Sequence, residues 1–179
     1  MTRRYPPGQY PDFWIPNPPK LNYRYVLGRV GANMSSARPL IVIGMNPSHA
    51  SDLNSDTTIN NLIEASVQLG YAGWLMLNLY PERASSPRNL GGFDPSVSDA
   101  NCDAITQVLA QTKTTEVWGG WGDLPNSTIR QAKTAVLQAV SAIGVRVFHF
   151  GDLTKKGEPR HLNPRFHKLD VSGQRRYLN

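Results

Sequence analysis

The residues best suited to chemistry cluster around two Asn-Pro dipeptides, Asn46-Pro47 and Asn163-Pro164, each just beyond an apolar run. The ends of buried strands are where open α/β sheets hold their ligands. Asn46 carries an amide, a poor base, so its contribution to a reaction is orientation of a water rather than removal of its proton. Asn46-Pro47-Ser48 also reads as an ordinary turn leaving a strand. The carboxylates Asp52 and Asp56 can assist a water or stabilise a developing cation. Asp56 also stands where an N-cap is needed for a helix carrying Ile59 and Leu62, and the two roles are compatible. His161, within Pro159-Arg-His-Leu-Asn-Pro164, can donate a hydrogen bond or clamp a phosphate according to its protonation state. No His, Cys or carboxylate pair has metal-ligand spacing, so neither a metal nor another cofactor is expected.

These residues need a scaffold, and the pattern from residue 40 onward supplies one. Apolar runs at Leu40–Met45, Trp74–Leu79, Glu116–Trp118 and Val145–Phe150 alternate with helical periods, the mark of β-α-β units. The expected fold is α/β, three layers with a central, mainly parallel four-stranded sheet. One helix begins near Thr57, buries Ile59, Leu62, Ile63 and Val67, and stops at Gly70. A second, capped by Ser98 or Asp99, carries Ile105, Val108 and Leu109; a third starts near Asn126 or Ser127 and ends at Gly144. Right-handed crossovers bring the C-terminal ends of all four strands to one edge. Four loops then converge there: Asn46–Ser48, Asn78–Arg83, Gly119–Gly122 and the stretch from Gly151 to His167. Residues 1–39, dense in proline and aromatics, read as an arm packed on a single 40–179 domain, with Tyr23–Arg29 as an edge strand.

The chain has 179 residues and a formal net charge of +6, with a pI near 9.7. Such a balance suits polyanions. Lys155, Lys156, Arg160, Arg165 and Lys168 concentrate positive charge beside the convergent loops, joined by Arg83 and Arg88. The single Cys102 excludes a disulfide framework, and the N-terminus has no apolar signal core, so a cytoplasmic protein without membrane partners is expected. The glycines of Gly119-Gly-Trp-Gly122 do not match a dinucleotide fingerprint, and no Walker lysine is present, which argues against a dinucleotide enzyme or NTPase.

The ordered motifs N-P-S, S-D-T-T-I, G-Y-x-G-W-x-x-x-N-L-Y-x-x-R-A-S-S-P, W-G-x-W-G and G-E-P-R-H resemble an uncharacterised bacterial and phage family known only as a domain of unknown function. More remotely, the layout is similar to the uracil-DNA glycosylase superfamily, especially its mismatch-specific and thymine-DNA glycosylase branch. Gly44-Met-Asn-Pro-Ser48 is similar to that branch's G-I-N-P-G, His161-Leu-Asn-Pro164 to its second loop, and Asn78-Leu-Tyr-Pro-Glu-Arg-Ala84 to its intervening strand end. Ser48 replaces the usual glycine, and Arg165 the small residue after the second proline.

The resemblance implies hydrolysis of a base-sugar bond in DNA through a cationic sugar, with negative charge building on the departing base. Asn46 would then hold the nucleophilic water, with Asp56 and His161 completing the catalytic set. Gly44, Met45, Pro47, Ser48, Asn78 and Asn163 would line the base pocket, with Tyr80 and Trp121 stacking on a flipped base. Arg83, Lys155, Lys156, Arg160 and Arg165 would touch DNA, with Arg165 or Phe166 as a wedge. Two alternatives stay open: an enzyme of the same fold acting on free nucleosides or nucleotides, and a non-catalytic nucleic-acid-binding module.

Overall fold

Four apolar segments pair side by side and all run the same way. A computed structural model describes residues 2–16, 22–34, 38–164 and 169–178. In it β4 (Pro39–Gly44) pairs in parallel with both β6 (Gly73–Asn78) and β7 (Glu116–Gly119), and β7 pairs in parallel with β8 (Arg146–His149). Every residue of β4 and β6 is buried, as continuous apolar runs covered on both faces must be. Each fully buried Val or Leu among them contributes about 1.5–3 kcal/mol of transfer free energy.

The sheet is larger and more mixed than the four parallel strands expected. It has seven strands in the order β2-β3-β6-β4-β7-β8-β9. Here β2 (Phe13–Ile15), β3 (Val26–Arg29) and β9 (Arg176–Tyr177) all pair antiparallel to their neighbours. β3 is therefore not an edge strand: it lies between β2 and β6, with Val26 fully buried. β3 falls within the strand read at Tyr23–Arg29, whereas β2 and β9 span three and two residues, too short to show a period in the sequence. A separate two-stranded ribbon joins β1 (Thr2–Arg3) to β5 (Ser55–Asp56).

Among the described residues, three α-helices of 12 to 17 residues cover the two faces of the sheet. α1 (Thr57–Gln68) packs Ile59, Leu62, Ile63 and Ala65 with Leu40, Val42, Trp74 and Met76 on one face. On the other, α2 (Pro95–Gln111) and α3 (Ser127–Ala142) bring Ile105, Val108, Ile129 and Val136 against Ile41, Ile43, Leu75 and Val117. Val67, expected on the buried stripe of α1, is 63 % exposed. It sits about 80° around the helix from Ile59, past the edge of the arc that Leu62, Ile63 and Ser66 bury.

α2 begins earlier than its apolar period suggests. Asp94, not Ser98 or Asp99, is the N-cap, accepting from Ser96 N–H at 2.9 Å, and Pro95 opens the helix with its φ already set. Asn126 caps α3 by accepting from Ile129 N–H at 2.9 Å, where the sequence placed that start.

Candidate active site

Past their last ladder residues, β4 and β6 continue as two loops bonded to each other. Leu79 N–H donates to Gly44 O at 2.9 Å, Tyr80 N–H to Met45 O at 3.1 Å, and Ala84 N–H to Pro47 O at 2.9 Å. Asn46 joins this seam through its amide nitrogen, which donates to Pro47 O at 3.0 Å and Ala84 O at 2.9 Å. The nitrogen is thereby spent on the backbone. No described residue donates to Asn46 Oδ1, which is the atom able to accept from a water. Asn101 of α2 fixes the exit from β6 by donating to Asn78 O at 2.9 Å and Leu79 O at 3.1 Å.

Asp56 lies at the start of α1 and is buried. Its Oδ1 accepts from Ile59 N–H at 2.9 Å as the cap, and its Oδ2 accepts from Ala50 N–H at 3.3 Å. The Ala50 carbonyl receives two guanidinium groups: Arg24 through Nη1 and Arg83 through Nη2, the latter at 3.0 Å. Burial pushes the Arg24 pKa down to about 10, the charge of Arg83 adds to that fall, and Asp56 opposes it. Tyr5 pins the next residue, its hydroxyl donating to Ser51 O at 2.5 Å.

His161 arrives on the chain following β8 and is held by the glycine loop after β7. Gly122 has φ +75°, and a Cβ there would stand 3.0 Å from His161 Cβ. At Gly120 a Cβ would meet Leu162 Cδ1 at 1.7 Å, so this loop and the 159–162 segment approach as only glycine allows. Gly122 N–H donates to Pro159 O at 3.1 Å, and Asn61 of α1 donates to Leu162 O at 2.8 Å from the opposite side. His161 Nδ1 accepts from Asn163 N–H at 3.0 Å, which places the proton of the neutral ring on Nε2. Burial holds its pKa below the ordinary imidazole value, against the pull of the Asp56 charge.

The loops enclose a cavity of about 800 Å³ whose lining includes Asn46, Asp56 and His161 together. Residues 24–162 match a family described as protein of unknown function. The chain belongs to the DUF1643 family. No curated protein and no solved structure matches it.

The DUF1643 match begins at Arg24 and ends at Leu162, so it takes in Asn46, Asp56 and His161. Of the expected pocket residues, Gly44, Met45, Ser48, Asn78, Trp121 and Asn163 border the cavity, while Pro47 and Tyr80 do not. The Asn78 Nδ2 group is buried there without a partner.

The two aromatic rings expected to stack on a base are instead packed into the core. Trp121 is 0 % exposed; its indole N–H donates to Glu158 Oε2 at 2.7 Å, and Lys133 donates to both oxygens of that carboxylate, at 2.7 and 2.8 Å. A buried indole needs such an acceptor, and Glu158 of the G-E-P-R-H motif provides it. The Tyr80 ring is 2 % exposed, its hydroxyl accepting from Asp94 N–H at 3.1 Å and donating to Gly92 O at 3.3 Å.

The expected DNA contacts Arg83, Lys155, Lys156 and Arg160 do not line the cavity. Lys155 is exposed, Lys156 stands 3.8 Å from Asp123, and Arg160 Nε donates to Asp152 O at 3.0 Å. Arg83 is committed to Ala50. Arg165 and Phe166 lie outside the described residues. Arg24 and Thr58, which do line the cavity, went unnoticed in the sequence. Arg24 follows a proline-rich stretch with no motif around it, and Thr58 reads only as a first-turn helix residue.

Proposed function

We propose that this protein hydrolyses the bond between a base and its sugar, with DNA as the substrate. What supports the reading is the meeting of Asn46 and Asp56, from the two ends of the β4–α1 connection, with His161, from the chain after β8, in one cavity at the C-terminal ends of the parallel strands. The likeness of Gly44–Ser48 to the uracil-DNA glycosylase superfamily points to the same chemistry. Asn46 Oδ1 orients the attacking water; Asp56 stabilises the cationic sugar; the Nε2–H of His161 donates to the departing base. With Nδ1 accepting from Asn163 N–H, the neutral ring keeps its one N–H, on Nε2, free for that role. Asn78, with a buried unpartnered Nδ2 at the end of β6, supplies a donor for the base edge.

Incubation with a panel of oligonucleotides carrying deaminated, alkylated or otherwise modified bases tests this, with released bases read by mass spectrometry. Release of a base, abolished in Asn46→Ala and Asp56→Asn variants that still fold, is the expected result. Release unaffected by either substitution refutes the site.

A second reading is favoured by one observation. Among the described residues, Arg24 is the sole Lys or Arg that lines the cavity, and Asp56 and Asp123 line it too. A lining of that charge suits a single nucleoside or nucleotide better than a long polyanion. Turnover of free nucleosides with binding insensitive to salt is the outcome that selects this reading.

A further inference from the structure

We propose that the cavity contains a subsite for a phosphate group, formed by Arg24 and the N-terminal turn of α1. This inference rests on the reading above and names a feature of the substrate: the base to be released is carried by a nucleotide, not by a bare nucleoside.

The first observation is Arg24 itself. Its side chain is 5 % exposed and lines the cavity, yet no described carboxylate stands within salt-bridge distance of it. One amino group donates to Ala50 O, and Nε is buried with no partner among the described residues. A desolvated guanidinium with unmet donors is expensive to maintain, and a bound anion removes much of that cost. Arg83 converges on the same carbonyl and adds a second positive charge beside it. Against these two stand Asp56, buried and already accepting two backbone N–H groups, and the solvent-exposed Asp52.

The second observation is the helix. α1 is 12 residues long, and Asp56, Thr58 and Ile59 of its first turn all border the cavity. Asp56 satisfies the Ile59 N–H, but no described group accepts from the N–H of Thr58. First-turn N–H groups and the helix dipole favour an anion, and Thr58 borders the same space. A tetrahedral phosphate oxygen set matches planar guanidinium donors and backbone N–H groups together.

The test compares ligands that differ only in the phosphate. Affinities of the wild-type protein for a 2′-deoxynucleoside, its 5′-monophosphate and a trinucleotide containing it are measured by calorimetry at fixed ionic strength, with inorganic phosphate as competitor. The expected result is that the phosphorylated ligands bind at least about tenfold tighter than the nucleoside, the scale of one charge-assisted bond. Inorganic phosphate is expected to erase the difference. Preference for the monophosphate over the trinucleotide identifies a free nucleotide as the source; the reverse identifies a strand. Arg24→Lys is expected to lose most of the preference, and Thr58→Val, which keeps the helix and the Arg24 anchor, to reduce it severalfold. Equal affinity for nucleoside and nucleotide in the wild type overturns the proposal, as does an undiminished preference in both variants. Base release is scored separately in the same samples. Phosphate preference without base release therefore counts against the hydrolase reading alone, and base release without phosphate preference against the subsite alone.

Discussion

Two arginine clusters sit at opposite ends of the parallel strands, and they are built on opposite principles. At the N-terminal end, Glu116 of β7 gathers Arg175, Arg146 and the Tyr177 hydroxyl, the last at 2.6 Å. Arg175 also donates to the Tyr71 hydroxyl at 2.7 Å and lies 4.6 Å from the Phe148 ring centre, while Arg146 covers Tyr177 at 4.2 Å. Opposite charges meet and the flat faces are stacked. At the C-terminal end, Arg24 and Arg83 converge on one carbonyl oxygen, and Arg24 Nε has no acceptor. The first arrangement ties the C-terminal strand to the sheet. The second keeps donors unmet beside a cavity, a condition that folded proteins retain where something else is to bind.

The sharpest break between the two clusters is in activity. Asp56→Asn keeps a cap acceptor for Ile59 N–H but loses the charge and the acceptor for Ala50 N–H, and is expected to lower base release about 10²–10⁴-fold at a cost of about 1–3 kcal/mol in unfolding free energy. Glu116→Gln is expected to touch stability alone. It leaves Arg175 and Arg146 without a counter-charge and costs about 1–2 kcal/mol in urea-induced unfolding, while base release stays at the wild-type rate. A Glu116→Gln protein with impaired turnover would show that the two ends are coupled and dissolve the distinction.

The sequence carries the cavity end of the molecule better than the other end. Apolar runs and helix stops locate β4, β6, β7, β8 and the caps Asp56 and Asn126, because each is a local pattern: a buried run, or a polar residue before a 3.6-residue period. The loops that bear Asn46 and His161 follow from those strand ends by the handedness of the crossovers alone. Strands β2 and β9 are too short to have a period, and what holds them, like what places β3 inside the sheet and not at its edge, is pairing across many residues of sequence, which no local signal records. Trp121 looks like a stacking ring because it lies among glycines. Those glycines instead allow a close backbone approach that buries it, with Glu158 supplied from 37 residues further along the chain and held by Lys133. Arg24 is invisible for the same reason: its role depends on meeting Ala50 and Arg83.

A smaller effect tests the contrast from the stability side. Replacing Arg175 by Met removes an ion pair, a bond to Tyr71 and a stacked guanidinium, and is expected to cost about 1–3 kcal/mol. Arg24→Met removes a charge that burial disfavours, while Ala50 O keeps its bond from Arg83. Its unfolding free energy is therefore expected to change by less than about 1 kcal/mol, even as phosphate preference disappears. Equal losses in the two variants, measured in the same urea titration, would mean that Arg24 is as structural as Arg175.

The smallest expected effect is a pH dependence, and it separates His161 from both clusters. Its folded pKa lies below the ordinary value of 6.5, chiefly because the ring is buried. Below that value the unfolded chain binds a proton that the folded protein resists, so the unfolded state gains as the solution is acidified. The contribution to stability is thus whole above pH about 6.5 and lost as pH falls through the folded pKa. His161→Gln has no such proton to take up. The fall in unfolding free energy from pH 7.5 to pH 5 should be smaller for the variant than for the wild type. Neither Glu116→Gln nor Arg24→Met should alter that difference, since neither residue is bonded to the ring. Parallel pH profiles for wild type and His161→Gln would mean that the imidazole is as well solvated in the fold as in the unfolded chain, and would leave its Nε2–H too exposed to water to serve a departing base.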